Sequence, residues 1–421
     1  MLANDMHLFL RAPNAWYRAS LVWPAVAEPM AGRPDASSPQ DSVNKVTGVT
    51  LPGLPLVVAG SNGQVAWGFT NAYADTGDVI VIEPNVISRS FYKVGDELVR
   101  FEPRHEIIEV RGKDPVDFVV NTTRWGPVIG EGDKKRPLAY RWTAHLPDAV
   151  SLSLMDIETA TTVNEALPIA QDAGMPAQNI IVVDAAGNMA WTVAGQVPNR
   201  VGYDGRFPVS RTYGDRSWDG VLSAAEKPVS LNPESGRLWT ANNRVVGGES
   251  LARLGDGGYD KPARAARIRD QLATMENATP ADLLALQLDD GAPSLNRWHE
   301  LLLATLTPAI TDENRSLAKL RSRLTDWDGR ARIDSASYPL VRYFRDQVAQ
   351  RVFDPIYIYC VQKYEDFSWR HFNYEPALWT LLQENPAHLL STEYDSWEGL
   401  LVAAAQGVVE QLDDEGTSVS R

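Results

Sequence analysis

Cysteine is nearly absent from this chain of 421 residues: Cys360 is the single one. That excludes an internal disulfide and any cysteine metal cluster. Cys360 lies in an aromatic stretch, 357–364, where a buried thiol is the ordinary use and a nucleophile is not. The six histidines (His7, His105, His145, His299, His371 and His388) show no ligand spacing, so no histidine metal site is expected. No run of eighteen apolar residues occurs, and no basic segment with an apolar stretch behind it opens the chain. Neither a membrane span nor a signal peptide is therefore expected, and a chain with these ends would stay in the cytoplasm. There is no Gly-x-Ser-x-Gly elbow, no His-Glu-x-x-His, no phosphate loop and no Gly-x-Gly-x-x-Gly before a helix. No organic cofactor is expected.

Basic charge is also short: 40 Lys and Arg stand against 54 Asp and Glu, a net charge of -14. Nucleic acid is thereby excluded as a partner, because phosphate binding needs a clustered basic surface. The densest basic run, Lys261, Arg264, Arg267 and Arg269, is too short to reverse this. What is present is the composition of a globular protein, with 44% hydrophobic and 22% charged residues, 13 Trp and 14 Tyr. The length predicts one large domain, or a domain with a big insertion.

Along the chain, a β-rich first half gives way to a helix-rich second. Residues 21–46 hold Pro24, Pro29, Pro34 and Pro39 and read as a surface loop. Apolar runs at 56–60, 65–70 and 78–83, then at 106–110, 117–121, 179–184 and 189–194, read as strands. The last two flank Ala185-Ala186-Gly187-Asn188, a hairpin turn. Residues 263–275 have helical spacing, and Thr279-Pro280-Ala281-Asp282 supplies an N-cap, a first-turn proline and an acidic third position. Amphipathic helices fill 294–412. The expected division is residues 1–280, a β-rich core, and 281–421, a helical subdomain or insertion of the same domain.

Two segments can carry chemistry. Trp67-Gly68-Phe69-Thr70-Asn71, with Asp75 and Asp78 behind it, can aim a main-chain N–H at a developing oxyanion; a hairpin with two exposed aspartates is the commoner meaning. Ala241-Asn242-Asn243-Arg244 places two amides past the apolar Leu238-Trp239, expected to end a strand, and an Asx turn explains them equally well.

Taken in order, several blocks resemble the β chain of the penicillin acylase family of N-terminal nucleophile hydrolases. They are Asn4-Asp5-Met6-His7-Leu8, Ala12-Pro13-Asn14 with Trp16-Tyr17, Gly48-Val49-Thr50-Leu51-Pro52-Gly53, Trp67 to Asn71, Arg124-Trp125-Gly126-Pro127, Asp184 with Gly187-Asn188 and Trp191, Thr240 to Arg244, and Arg264-Ala265-Ala266-Arg267-Ile268. The resemblance implies an α+β fold, the four-layer αββα sandwich, with a helical excursion in the C-terminal third. It implies amide hydrolysis by a serine at a processed N-terminus, whose own α-amino group takes the proton.

Carried over by position, His7 lies beside the nucleophile through its backbone, Asn71 gives an oxyanion N–H, Asn242 a side-chain oxyanion donor, and Arg264 orients the site. Asp75 and Asp78 match calcium carboxylates; Arg253 stands where a further calcium aspartate is found, with Asp256 nearby as a substitute. Trp16, Phe69, Tyr73 and Trp239 either line an acyl pocket or fill a core. The nucleophilic serine and its strand are not in this sequence, so the chain is expected to be a piece of a precursor and inactive by itself, with a missing α segment as partner. Relatives are mostly periplasmic or secreted. Two functions follow: part of an acylase for an acylated small molecule, such as a β-lactam antibiotic or acyl homoserine lactone, or a noncatalytic binding protein that keeps the acyl pocket.

Overall fold

The structure, a computed structural model, describes residues 1–6, 8, 11–24 and 43–414. The chain divides into two compact units, Met1–Ala265 and Ala266–Arg421.

The first unit opens with an antiparallel pair, β1 (Tyr17–Pro24) and β2 (Val43–Thr50), in register from Tyr17↔Thr50 to Pro24↔Val43. This corrects the loop expected over 21–46, since residues 21–24 and 43–46 are strand. Pro24 is tolerated because it ends an edge strand, where its missing N–H breaks no central ladder. Next come β3 (Ala59–Ser61), β4 (Val65–Asn71) and β5 (Gly77–Val81). A hairpin of β6 (Phe91–Val94) and β7 (Glu97–Arg100) precedes β8 (Glu102–Ile108), β9 (Val116–Thr123), β10 (Gly126–Glu131) and β11 (Pro137–Trp142). After helix α1 (Val163–Asp172) the chain adds β12 (Gln178–Asp184), β13 (Met189–Ala194), β14 (Pro198–Val201), β15 (Val209–Ser210), β16 (Ser217–Val221) and β17 (Val229–Leu231).

Two larger sheets result. One has the order β1-β2-β3-β4-β12-β13-β17, the other β15-β5-β11-β10-β9-β8. In the first, alternation sorts the side chains by face. Val65, Trp67 and Phe69 of β4, with Ile180 and Val182 of β12, form one buried core with Val163, Ala166, Leu167 and Ala170 of α1. Each large apolar side chain buried there stabilises the fold by roughly 1.5–3 kcal/mol. The opposite face carries Gly68, Thr70, Asn179, Ile181 and Trp191, aligned by the β4–β12 and β12–β13 registers. Phe69, an expected pocket residue, is therefore a core residue: it shares the odd-numbered face of β4 with Trp67.

Past β17 the chain leaves the sheets. Leu238-Trp239 joins no ladder, which corrects the strand expected there; Asn243 makes only an isolated parallel bridge with Asp260. Two helices follow, α2 (Gly248–Leu254) and α3 (Ala263–Thr274), and the division between the units falls inside α3.

The second unit is helical. Helix α4 (Pro280–Gln287) starts at the expected cap: Thr279 accepts from Asp282 N, and the Asp282 carboxylate accepts from Thr279 N at 2.8 Å. Then come α5 (Asn296–Thr305), α6 (Pro308–Glu313), α7 (Arg315–Arg323), α8 (Ser337–Lys363), α9 (Glu375–Glu384) and α10 (Trp397–Asp414). Leu340, Val341, Phe344, Val348 and Val352 form the buried stripe of α8, at helical spacing, and share a core with Trp298 and Leu302 of α5 and Leu400, Ala404 and Val408 of α10.

Glu375 ties three of these helices together. Its carboxylate accepts from Arg297 Nη2 at 2.8 Å, Trp298 Nε1 at 2.8 Å and Arg345 Nη2 at 2.6 Å. Burial pushes its carboxyl up, but the hydrogen bonds and charge of Arg345 outweigh this and hold it below the usual glutamate value.

Candidate functional site

The site grows from the end of β4. Asn4 lies across this strand: its Nδ2 donates to Phe69 O at 3.0 Å, and its Oδ1 accepts from Phe69 N at 3.3 Å. Gly68 makes room, because a Cβ there would lie 3.0 Å from the Asn4 side chain. Beside them Thr70 Oγ1 donates to Thr240 Oγ1 at 2.8 Å, joining β4 to the 240–244 segment.

Asn179 organises the floor. It is 2% exposed, donates to Thr70 Oγ1 at 3.1 Å and Asn71 O at 3.2 Å, and accepts from Trp191 Nε1 at 3.0 Å. A buried amide with these bonds is satisfied on both sides and fixes the strand end. Sequence reading named it only as a strand residue, although a polar side chain inside Gln178-Asn179-Ile180-Ile181-Val182-Val183 was the available signal.

Asn242 meets Asn71 across the site. Its backbone adopts φ +64, the left-handed region that asparagine tolerates better than most residues. From there Nδ2 donates to Asn71 O at 3.1 Å, while Oδ1 accepts from Arg264 Nη2 at 2.8 Å. The same guanidinium nitrogen is 2.7 Å from Asp260 Oδ2, and Asp260 N donates to Asn242 O at 2.9 Å. Asn71, Asn242 and Arg264 are thus brought together as one hydrogen-bonded chain. Thr240, Asp260 and Asn179 belong to it and were not singled out in the sequence.

The other expected residues fall as follows. His7 lies outside the described residues. Trp16 is half-buried, with its Nε1 buried and without a hydrogen-bond partner. Tyr73 is half-buried at φ +50, which strains an aromatic residue, and its carbonyl accepts from Gly257 N at 2.9 Å.

Asp75 and Asp78 do come together, but around a guanidinium. Arg200, whose side chain is 6% exposed, places Nη2 3.0 Å from Asp75 Oδ1 and Nε 3.1 Å from Asp78 Oδ1. Asp78 also accepts from Tyr203 Oη and Trp218 Nε1 and pairs with Arg211 Nη2 at 3.5 Å. Burial outweighs the attraction of Arg200 and pushes the Asp75 carboxyl up to about 6. Burial, with Asp78 beside it, pushes the Tyr203 hydroxyl up to about 12.

With Arg200 bound among them, these carboxylates do not fit a hard divalent cation, which needs several free oxygens. The buried atoms left without partners here are donors, Nε of Arg141 and Nε of Arg211. Asp256 Oδ1 accepts from Gly258 N at 2.9 Å in its own turn, and Asp256 does not gather with Asp75 and Asp78 into a cage. Arg253 carries no oxygen donor. Among the described residues no group of three or more His, Cys, Asp and Glu gathers where an ion could be held.

The chain is 26% identical over 378 residues to an acyl-homoserine lactone acylase of Pseudomonas aeruginosa, covering 84% of this chain and 42% of that protein. It is 29% identical over 311 residues to penicillin acylase 2 proenzyme of Pseudomonas sp. strain SE83, covering 72% and 39%. The chain therefore spans less than half the length of these curated relatives. The solved structure of thermostable penicillin G acylase from Alcaligenes faecalis superimposes with a TM-score of 0.71 at 18% identity, over 97% of this chain and 75% of that one, so the fold is shared. The family model for penicillin amidase matches residues 1–420, and the chain belongs to the penicillin amidase family.

Proposed function

We propose that this chain forms the oxyanion side of an acyl-amide hydrolase acting on an N-acylated small molecule, an acyl homoserine lactone or a β-lactam. The observation that carries the reading is the Asn242 amide, locked between Arg264 and the end of β4 at Asn71. A tetrahedral intermediate places negative charge on the former carbonyl oxygen. Preorganised N–H donors lower its barrier because they need no reorientation during the reaction. Asn242 Nδ2 is one such donor, offered to Asn71 O until substrate arrives; the Asn71 backbone N–H is the second. Arg264 polarises the Asn242 amide through its oxygen and keeps the nitrogen turned inward.

On this reading the attacking hydroxyl is that of an N-terminal serine supplied by another part of the precursor, and an α segment completes the acyl pocket to which Trp16 and Tyr73 contribute. The four-layer αββα arrangement belongs to the same proposal, as does export of the mature enzyme.

The test is hydrolysis of an acyl homoserine lactone and of a penicillin by the native full-length protein and its Asn242→Ala variant. Loss of one oxyanion donor lowers kcat by about 10²–10³-fold with KM little changed. Equal turnover by the two proteins would remove Asn242 from the mechanism. Tight binding of these compounds without turnover by the native protein would favour a binding protein that keeps the pocket.

A further inference from the structure

We propose that Arg200 is an internal cation that fills the place of a divalent metal, so that the turn behind Asn71 is held without calcium. Five oxygens converge on this one side chain: Asp75 Oδ1 at 3.0 Å, Asp75 O at 3.2 Å and Gly77 O at 3.4 Å around Nη2, and Asp78 Oδ1 at 3.1 Å and Oδ2 at 3.3 Å around Nε. Two carboxylates and two main-chain carbonyls from one short turn are the oxygen set a hard cation takes. Here a planar guanidinium meets all five, with Nη2 and Nε each shared among acceptors.

Charge supports the same assignment. Asp75 and Asp78 carry two negative charges, and Arg200, Arg211 and Arg141 bring three positive ones into the same buried volume. A divalent ion added beside Arg200 would raise the positive excess further. The backbone packs tightly on the cluster as well: a Cβ added at Gly205 would stand 2.7 Å from Arg200 Nε and 2.8 Å from Asp75 Oδ2.

The consequence reaches the candidate site through the chain. Residues 72–76 link Asn71 to β5, and Asp75 N donates to Leu254 O at 2.8 Å within that link. Arg200 is thus a positioning residue for the strand end. The inference rests on this geometry alone and stands or falls independently of the acylase reading.

The experiment is thermal unfolding of the native full-length protein in chelator and in calcium, alongside Arg200→Ala and Arg200→Lys. The native protein is expected to melt at the same temperature in both. Arg200→Ala, which empties the oxygen cage, is expected to melt about 10 °C lower and to regain much of that loss when calcium is added. If Arg200→Ala does not fold, Arg200→Lys carries the test, with a smaller loss and the same calcium response. A native melting temperature that falls in chelator, or an Arg200 variant that melts like the native protein or ignores calcium, overturns the proposal.

Discussion

Asn242 and Asn71 stand 171 positions apart in the chain, and the Asn242 side-chain nitrogen is 3.1 Å from the Asn71 carbonyl. The orientation of that amide depends on Arg264, whose Nη2 meets its oxygen at 2.8 Å. Arg264→Ala removes a charge-assisted bond worth about 1.5–3 kcal/mol, so on the proposed function kcat of the full-length protein is expected to fall about 10–100-fold. The guanidinium is 43% exposed, so stability should hardly change. Steady-state kinetics and a melting curve on one preparation separate the two effects, and a large fall in melting temperature would contradict this division of labour.

Asn179 is expected to behave in the opposite way. Asn179→Leu leaves Trp191 Nε1 without its acceptor and Thr70 Oγ1 without a donor, while Asn71 O loses one of its two side-chain donors and keeps Asn242 Nδ2. A buried polar group stranded in this manner costs about 1–3 kcal/mol. Urea unfolding of the variant should show a lower midpoint at unchanged slope; a midpoint equal to the native one would mean that water replaces the amide.

β4 was legible because its apolar residues alternate up to a polar end, and the capped start of α4 because its signals are local. Asn242, the partner of Asn71 across the site, was named through family resemblance, since Asn242-Asn243 alone reads equally as a turn. Asn179 and Arg200 were not legible as site residues: a polar side chain declares its role only when the fold brings its partners, here 108 and 122 residues away. The ends of β1 and β2 were masked by prolines, and Leu238-Trp239 looked like a strand because apolar composition does not reveal whether a ladder partner exists.

Lys227 offers a pH prediction. Its Nζ, in a side chain 5% exposed, donates to Gln171 O and to Gly195 O at 2.6 Å. Burial pulls its pKa down to about 8 from 10.5. The folded state then binds fewer protons than the unfolded one between these values, so Lys227 adds stability as pH rises from about 8 to 10.5, ~3 kcal/mol in full. The difference in unfolding free energy between the native protein and Lys227→Met should widen over that window; a pH-independent difference would show that the amine keeps its proton.

Glu375 gives the reverse dependence. Its folded pKa is lowered, so its stabilisation is present above the unfolded value and is lost as pH falls through the folded one. Glu375→Ala leaves Arg345, whose side chain is 12% exposed, without its buried partner, and about 3–5 kcal/mol should be lost at neutral pH. Circular dichroism melts at neutral and acid pH check this: the gap between native and variant should shrink on acidification.

That same carboxylate also bears on time. Arg297 and Trp298 belong to α5, Arg345 to α8, and Glu375 itself opens α9. No one of these helices can detach without leaving a buried charge or indole N–H exposed to an apolar core, so each opening is coupled to the others. Their slowest amide protons should exchange with solvent at a common rate, as one cooperative foldon whose clock is set by a single side chain.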